Sequence, residues 1–321
     1  MTAHIAFLTP MAQTIQTEIA RLLPAGFSIA FAQSNDRDEH VRLLLDAEYV
    51  FAAGTWIDAE LILNAPKLKM IQKWGIGVDK IDLAAARKKN ITVAITSGAS
   101  SGPVAEHAIM LMLAVYRRLP MAHRSLAEGQ WLAPTLRPLC FQLARKTVGL
   151  LGFGNIAQHV ARRLQGFDVK VIYHSRTRAN PELEQGLHAQ YVDFETLIAQ
   201  SDVLSLHIPA SAATHHLINA QVMGNMKSTA ILINTARGEV VDESALIEAL
   251  RQHKLGGAGL DTFEGEPPAA GNPLLHMDQV VVTPHSAGAV MDNVGNIVGH
   301  AFNNIQRFES GLPLDKDDLI A

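Results

Sequence analysis

The sequence predicts an α/β protein made of two doubly wound parallel-sheet domains with a cleft between them. Three observations carry this reading. Apolar runs of strand length alternate with segments of helical apolar spacing over residues 4–94 and again from residue 147 onward. Such alternation argues parallel sheets with covering helices. The two series are separated by a small, turn-rich stretch, Ser97 to Pro103, and a long apolar helix. The second series opens on Thr147 to Ala157, T-V-G-L-L-G-F-G-N-I-A, which reads as a strand, a tight glycine turn and a helix start.

Composition narrows the class. A chain of 321 residues with 48% apolar and 18% charged residues has enough material for two packed cores. A formal charge of −4 gives no reason to expect nucleic acid as a partner. Cys140 is the only cysteine, which excludes an intrachain disulfide or a thiolate metal site and suits a reducing compartment. The first apolar run is cut off at Pro10, unlike a signal segment. Ala108 to Tyr116 falls far short of the roughly 20 residues needed to span a bilayer. A cytoplasmic protein without a membrane partner is expected.

In chain order, strands are predicted at residues 4–8, 27–31, 48–53, 68–73 and 91–94, with helices at 14–23, 41–45 and 83–89. The apolar helix is predicted over Val104 to Leu119, hydrophobic around most of its circumference and therefore buried in a core or a subunit interface. Residues 128–145 read as loop. The second series comprises strands at 148–151, 169–173, 203–207, 230–234, 258–260 and 280–283. Its helices are predicted from Asn155, at 194–200, at 242–251 with Asp242 as cap, and at 287–308.

The glycine turn has a physical use. Gly152 tolerates a sharp turn, Gly154 leaves room for a pyrophosphate, and the N–H groups of Asn155 and Ile156 open a helix whose positive end favours an anion. Ala157 is small enough for helix–strand packing. This is a dinucleotide fingerprint. At the end of the next strand, where an acid would bind the ribose 2′-hydroxyl, the chain reads Tyr173-His174-Ser175-Arg176-Thr177-Arg178. A hydroxyl and two guanidinium groups favour a 2′-phosphate, so NADP(H) is expected over NAD(H). Further ionisable residues fall at strand ends. Arg237 follows I-L-I-N-T, Asp261 and Glu266 flank a turn ending in Pro267-Pro268, and His285 follows Pro284. In such sheets ligands lie beyond the carboxyl ends of the strands. The same rule singles out the loops Gly54 to Trp56 and Gly75 to Asp79, with Thr55, Trp56 and Trp74 as candidates to limit substrate size.

These residues sit in K-W-G-I-G-V-D-K-I-D (73–82), P-V-A-E-H (103–107), G-F-G-N-I-A (152–157), N-T-A-R-G (234–238), G-L-D-T-F-E-G-E-P (259–267) and T-P-H (283–285). With them the chain resembles the D-isomer-specific 2-hydroxyacid dehydrogenases along essentially its whole length, nearest to the glyoxylate/hydroxypyruvate reductase-like members. The resemblance implies a flavodoxin-like substrate domain of residues 1–99 completed by 287–321, a Rossmann cofactor domain of residues 100–286, and a homodimer formed through the apolar helix. It implies that Arg237 binds substrate carboxylate and carbonyl oxygen, that His285 is the general acid/base and that Glu266 pairs with it. It further implies that Asp261 contacts the nicotinamide carboxamide, and that Ile76 and Gly77 hold the carboxylate of a small 2-oxo or 2-hydroxy acid through backbone N–H groups. An alternative on the same fold is a nucleotide-sensing binding protein, as in the C-terminal-binding-protein corepressors.

Overall fold

A computed structural model describes residues 2–321. The chain divides into two compact units, one running to Ser100 and resuming over Ala289–Ala321, the other Ser101–Gly288. Among the described residues no helix is long and apolar enough to cross a membrane.

The first unit holds β1 (Ala3–Phe7), β2 (Phe27–Phe31), β3 (Tyr49–Ala52), β4 (Met70–Lys73) and β5 (Thr92–Ala94). They form a parallel sheet in the order β2-β1-β3-β4-β5, the flavodoxin-type winding. Side chains alternate across the pleat. Ile5 and Phe7 join Tyr49, Phe51 and Met70 against the helix Val294–Glu309, while Ala6, Leu8, Val50, Ala52 and Ile71 form a separate core on the other face. Both faces are covered, so β3, Tyr49–Ala52, is apolar on both sides of the pleat rather than alternating. Asp58 and Asp82 cap the following helices by accepting from Leu61 N and Ala85 N at 2.9 and 2.8 Å, each contributing about 1 kcal/mol. The order reverses between β1 and β3, and there Thr9 Oγ1 accepts from the backbone N–H groups of Gly54 and Thr55 at 3.0 and 3.2 Å.

The second unit holds β6 (Thr147–Leu151), β7 (Lys170–His174), β8 (Ala189–Tyr191), β9 (Val203–Leu206), β10 (Ile231–Asn234), β11 (Gly257–Leu260) and β12 (Val280–Val282). Their order is β12-β11-β10-β9-β6-β7-β8, the dinucleotide-binding arrangement with a seventh strand added. The reversal here falls between β6 and β9. Gly152 closes β6 with φ +91°, and a Cβ placed on it would meet the carbonyl oxygen of His207 at 2.4 Å. Only glycine serves at this crossing.

Some predicted boundaries shift for local reasons. The helix expected over 104–119 is Ser101–Tyr116: Pro103 is tolerated in its first turn, and Arg118 at φ +50° ends it. A further helix, Leu119–Ala127, restarts with Pro120 in its first turn. The stretch 128–145 expected as loop carries a short helix, Ala133–Leu136, with Pro134 in its first turn, and a 3-10 turn, Arg137–Leu139. The last helix begins at Val294 rather than at 287, because Ser286 and Ala287 donate their N–H groups to Asp261 instead of to a helical ladder. Short elements at Ala59–Leu63, Pro181–Leu187, Ala189–Tyr191 and Ala220–Gly224 carry too few turns to show a period.

His207, pressed against Gly152 with Nε2 2.9 Å from the Ser205 hydroxyl, loses its hydration, which pulls its pKa down to about 4 from 6.5. The unfolded chain therefore binds this proton more readily than the folded one between those values. The thermal midpoint is expected to fall as pH drops from about 6.5 toward 4. Melting curves of His207→Asn across this window should show a shallower fall than the parent; identical slopes would refute the assignment.

Candidate active site

Strand register brings the ionisable residues of the second unit to one edge. Asn234 on β10 is level with Leu260 on β11, and Leu260 with Val282 on β12. Arg237, Asp261 and His285 lie one to three residues beyond that line, on three neighbouring strands. Gly238 draws the loops closer still. A Cβ there would stand 1.9 Å from the backbone carbon of Phe263, so the segment after Arg237 lies directly on the turn that carries Glu266.

His285 and Glu266 meet. Nδ1 of the ring lies 2.8 and 3.0 Å from the two carboxylate oxygens, so the N–H is on Nδ1 and Nε2 is the nitrogen left for other chemistry. His285 stands in a left-handed backbone conformation, φ +50°, and its own N–H donates to the carbonyl of Asp261 at 2.8 Å. Its side chain is 47% exposed. Glu266 also accepts from the backbone N–H of Phe263 at 3.3 Å. Arg237 is fixed through its backbone: its carbonyl accepts from the Asn234 side-chain amide at 2.8 Å, and its guanidinium donates to the carbonyl of Ala236 at 2.7 Å.

Asp261 is 1% exposed and organises the segment that bears His285. One oxygen accepts from the Thr283 hydroxyl at 2.6 Å and from Ser286 N at 2.9 Å, and the other from Ala287 N at 2.9 Å. Because Thr283 spends its proton on Asp261, the 2.9 Å contact between Thr283 Oγ1 and His107 Nε2 must be donated by the histidine. His107 belongs to the P-V-A-E-H stretch, yet nothing in the sequence indicates that it reaches Thr283, 176 residues away. Its spacing in an apolar helix is the only signal, and that signal reads as core.

At the β6/β9 reversal, the helix Asn155–Leu164 opens on Gly154 and Asn155, with no side chain capping it and no acid in its first turn. A Cβ on Gly154 would meet nothing within 4 Å. Among the described residues, the hydroxyls of Thr235 and Thr262, buried at the ends of β10 and β11, find no hydrogen-bond partner. Open N–H groups, clear space and unpartnered buried hydroxyls fit a phosphate-bearing nucleotide with a polar head group. At the end of β7 the two arginines differ. Arg178 makes a bidentate pair with Glu184 at 2.8 and 2.7 Å, which holds that carboxyl down at about 2, and its guanidinium lies over Tyr191. Arg176 is exposed, and the Ser175 hydroxyl donates to the Thr177 carbonyl at 2.6 Å.

Ile76 and Gly77 belong to the first unit, on the loop after β4, with Ile76 half exposed. Trp56 is exposed after β3. Trp74, a candidate to limit substrate size, is partly buried and packs against the aromatic core, edge-on to Phe7 at 5.9 Å and beside Phe51 at 5.4 Å.

Comparison with known proteins agrees with this layout. Residues 109–287 match the family described as D-isomer specific 2-hydroxyacid dehydrogenase, NAD binding domain. The chain is 42% identical over 260 residues to the glyoxylate reductase of Thermococcus litoralis, spanning 79% of this chain and 78% of that one. It is 42% identical over 253 residues to the hydroxypyruvate reductase of Thermotoga maritima, spanning 78% and 81%. Among solved structures, the NAD-dependent formate dehydrogenase of Staphylococcus aureus in complex with NAD aligns with TM-score 0.87 and 29% identity over 100% of this chain and 99% of that one. With its two parallel sheets, its dinucleotide turn and these relatives, the chain belongs to the D-isomer specific 2-hydroxyacid dehydrogenase family, nicotinamide-dependent oxidoreductases acting on the CH–OH group of 2-hydroxy acids.

Proposed function

We propose that the protein is an NADPH-preferring reductase of small 2-oxo acids, glyoxylate or hydroxypyruvate, yielding D-2-hydroxy acids. The observation that carries this reading is the Glu266–His285 pair, set on the same sheet edge as Arg237 and in the same unit as an open dinucleotide turn. Bound NADP(H) supplies the hydride. Gly152, Gly154, Asn155 and Ile156 would hold its pyrophosphate, and Ser175 and Arg176 would favour a 2′-phosphate. Arg178, occupied with Glu184, contributes less. Asp261 has three of about four acceptor sites filled by the segment Thr283–Ala287, which leaves one for a carboxamide N–H.

Each protein group then has one task. Ile76 and Gly77 offer backbone N–H groups to the substrate carboxylate, and Arg237 binds the carboxylate and the carbonyl oxygen. As that oxygen gains negative charge, the guanidinium stabilises it. His285 delivers a proton to it from Nε2, and Glu266, bonded to Nδ1, stabilises the imidazolium and keeps the ring aimed. The half-exposed apolar strip of Met110 and Leu119, around a hollow of about 720 Å³ that Leu113 and Phe167 also line, supports a homodimer through the helix Ser101–Tyr116.

Purified protein is expected to consume NADPH with glyoxylate or hydroxypyruvate. Arg237→Ala and His285→Ala should each lose at least about a hundredfold in turnover while still quenching with NADPH as the parent does. Full activity in either would remove the assigned roles. Arg176→Asp should move the NADPH/NADH preference toward NADH, and an unchanged ratio would remove the 2′-phosphate argument. Light scattering should give a dimer mass that Met110→Asp with Leu119→Asp reduces to that of one chain; an unaltered mass would place the interface elsewhere.

A further inference from the structure

Outside the groups assigned above, one side-chain cluster of the second unit has the composition of a metal site. His215 and His216 follow each other in the turn segment after β9, and Glu264 stands on the loop after β11. One ligand atom from each, two imidazole nitrogens and a carboxylate oxygen, lies within 4.8 Å of the other two. We propose that His215, His216 and Glu264 bind a divalent transition-metal ion of the zinc class.

The donor set selects the ion. Two imidazoles and one carboxylate suit Zn²⁺ and its neighbours, whereas Mg²⁺ and Ca²⁺ prefer oxygen alone. The backbone already positions the ligands. His216 is held at φ +49°, with its N–H donated to the carbonyl of Glu239 at 2.8 Å, and Ile218 pairs with Val240 and Val241 just beyond. Glu264 is held by its own N–H, which donates to Glu243 at 3.3 Å. Metal-free, His216 Nε2 is hydrogen-bonded to Glu264 Oε1 at 2.7 Å, and the His215 ring stacks on that of His216 with centroids 4.0 Å apart. A tetrahedral zinc needs its ligand atoms roughly 3.3 Å apart, given metal–ligand bonds near 2.1 Å. The bonded pair must open slightly and the third ligand close in. His215 can do so because it is exposed and lines a hollow of about 480 Å³ with Ser211 and Glu239. On binding, the Nε2 lone pair of His216 goes to the metal and its proton moves to Nδ1. Three protein ligands leave the remaining position to water.

Such an ion would tie the segment after β9 to the turn that holds Glu266, two residues beyond Glu264. Binding is measured directly, so its outcome is independent of whether the reductase reading holds. Untagged protein stripped with EDTA is dialysed against micromolar Zn²⁺. About one equivalent per chain is expected, together with a raised melting temperature. His215→Ala and Glu264→Gln should each weaken that equivalent at least tenfold, and His215→Ala should leave the metal-free melt and basal turnover unchanged. Mg²⁺ should not bind there. Absence of a zinc equivalent in the parent, or retention of it in His215→Ala, would overturn the site, and equal binding of Mg²⁺ would overturn its class. His215→Ala decides the matter alone should Glu264→Gln not fold.

Discussion

The buried carboxylate of Asp261 is the interaction on which the sheet edge bearing His285 depends. Taking such a group out of water costs several kcal/mol unless its lone pairs are met. The chain meets them with a hydroxyl and two backbone N–H groups, all from the short segment Thr283–Ala287. Those bonds leave little choice about the path of the segment. It cannot continue β12, it cannot start the last helix, and His285 between them is forced into a left-handed conformation with its ring toward Glu266. The geometry of the histidine–carboxylate pair is thus set from beneath by a residue that itself stays out of solvent.

Close backbone approach is the second constraint, and at the strand ends that matter here Gly152 and Gly238 supply it. At Gly152 the end of β6 lies against the carbonyl of His207 at the end of β9, which makes the reversal of strand order tight enough to end in a turn rather than a loop. At Gly238 the segment after β10 lies on Phe263 after β11. A side chain at either place would push apart the strand ends that the parallel ladder holds in register. Catalytic groups on different strands need positional tolerances well under 1 Å, and a packed backbone meets them more surely than long side chains could.

Much of this was legible in the sequence. The alternation of strands and helices, the glycine turn with its helix and the placement of ionisable residues just past apolar runs all follow from local rules, because parallel strands buried on both faces leave continuous apolar signatures. The glutamate–histidine pairing was not readable from spacing and came from family resemblance. What the sequence hid falls into two kinds. Short elements such as Ala220–Gly224 are created by tertiary packing, with too few residues to show a period. The others are contacts between distant positions. Trp74, before a glycine loop, is a candidate to limit substrate size, and its ring also packs on Phe7 and Phe51. Arg178 looked available, yet Glu184 six residues on claims it. His107 looked like core, yet it completes the Asp261 network.

The same network explains why a histidine stands on a helix that is otherwise nearly all apolar. Placing a polar ring beside an apolar core is costly unless it is hydrogen-bonded. His107 satisfies that demand through Thr283, whose hydroxyl is in turn committed to Asp261. Donor order therefore runs in one direction: imidazole to hydroxyl to carboxylate. A reversed arrangement, with Thr283 donating to the ring, would strip Asp261 of its shortest bond and loosen the segment that carries His285. The helix Ser101–Tyr116, most of whose residues only pack, thus has one residue hydrogen-bonded to the segment that bears His285.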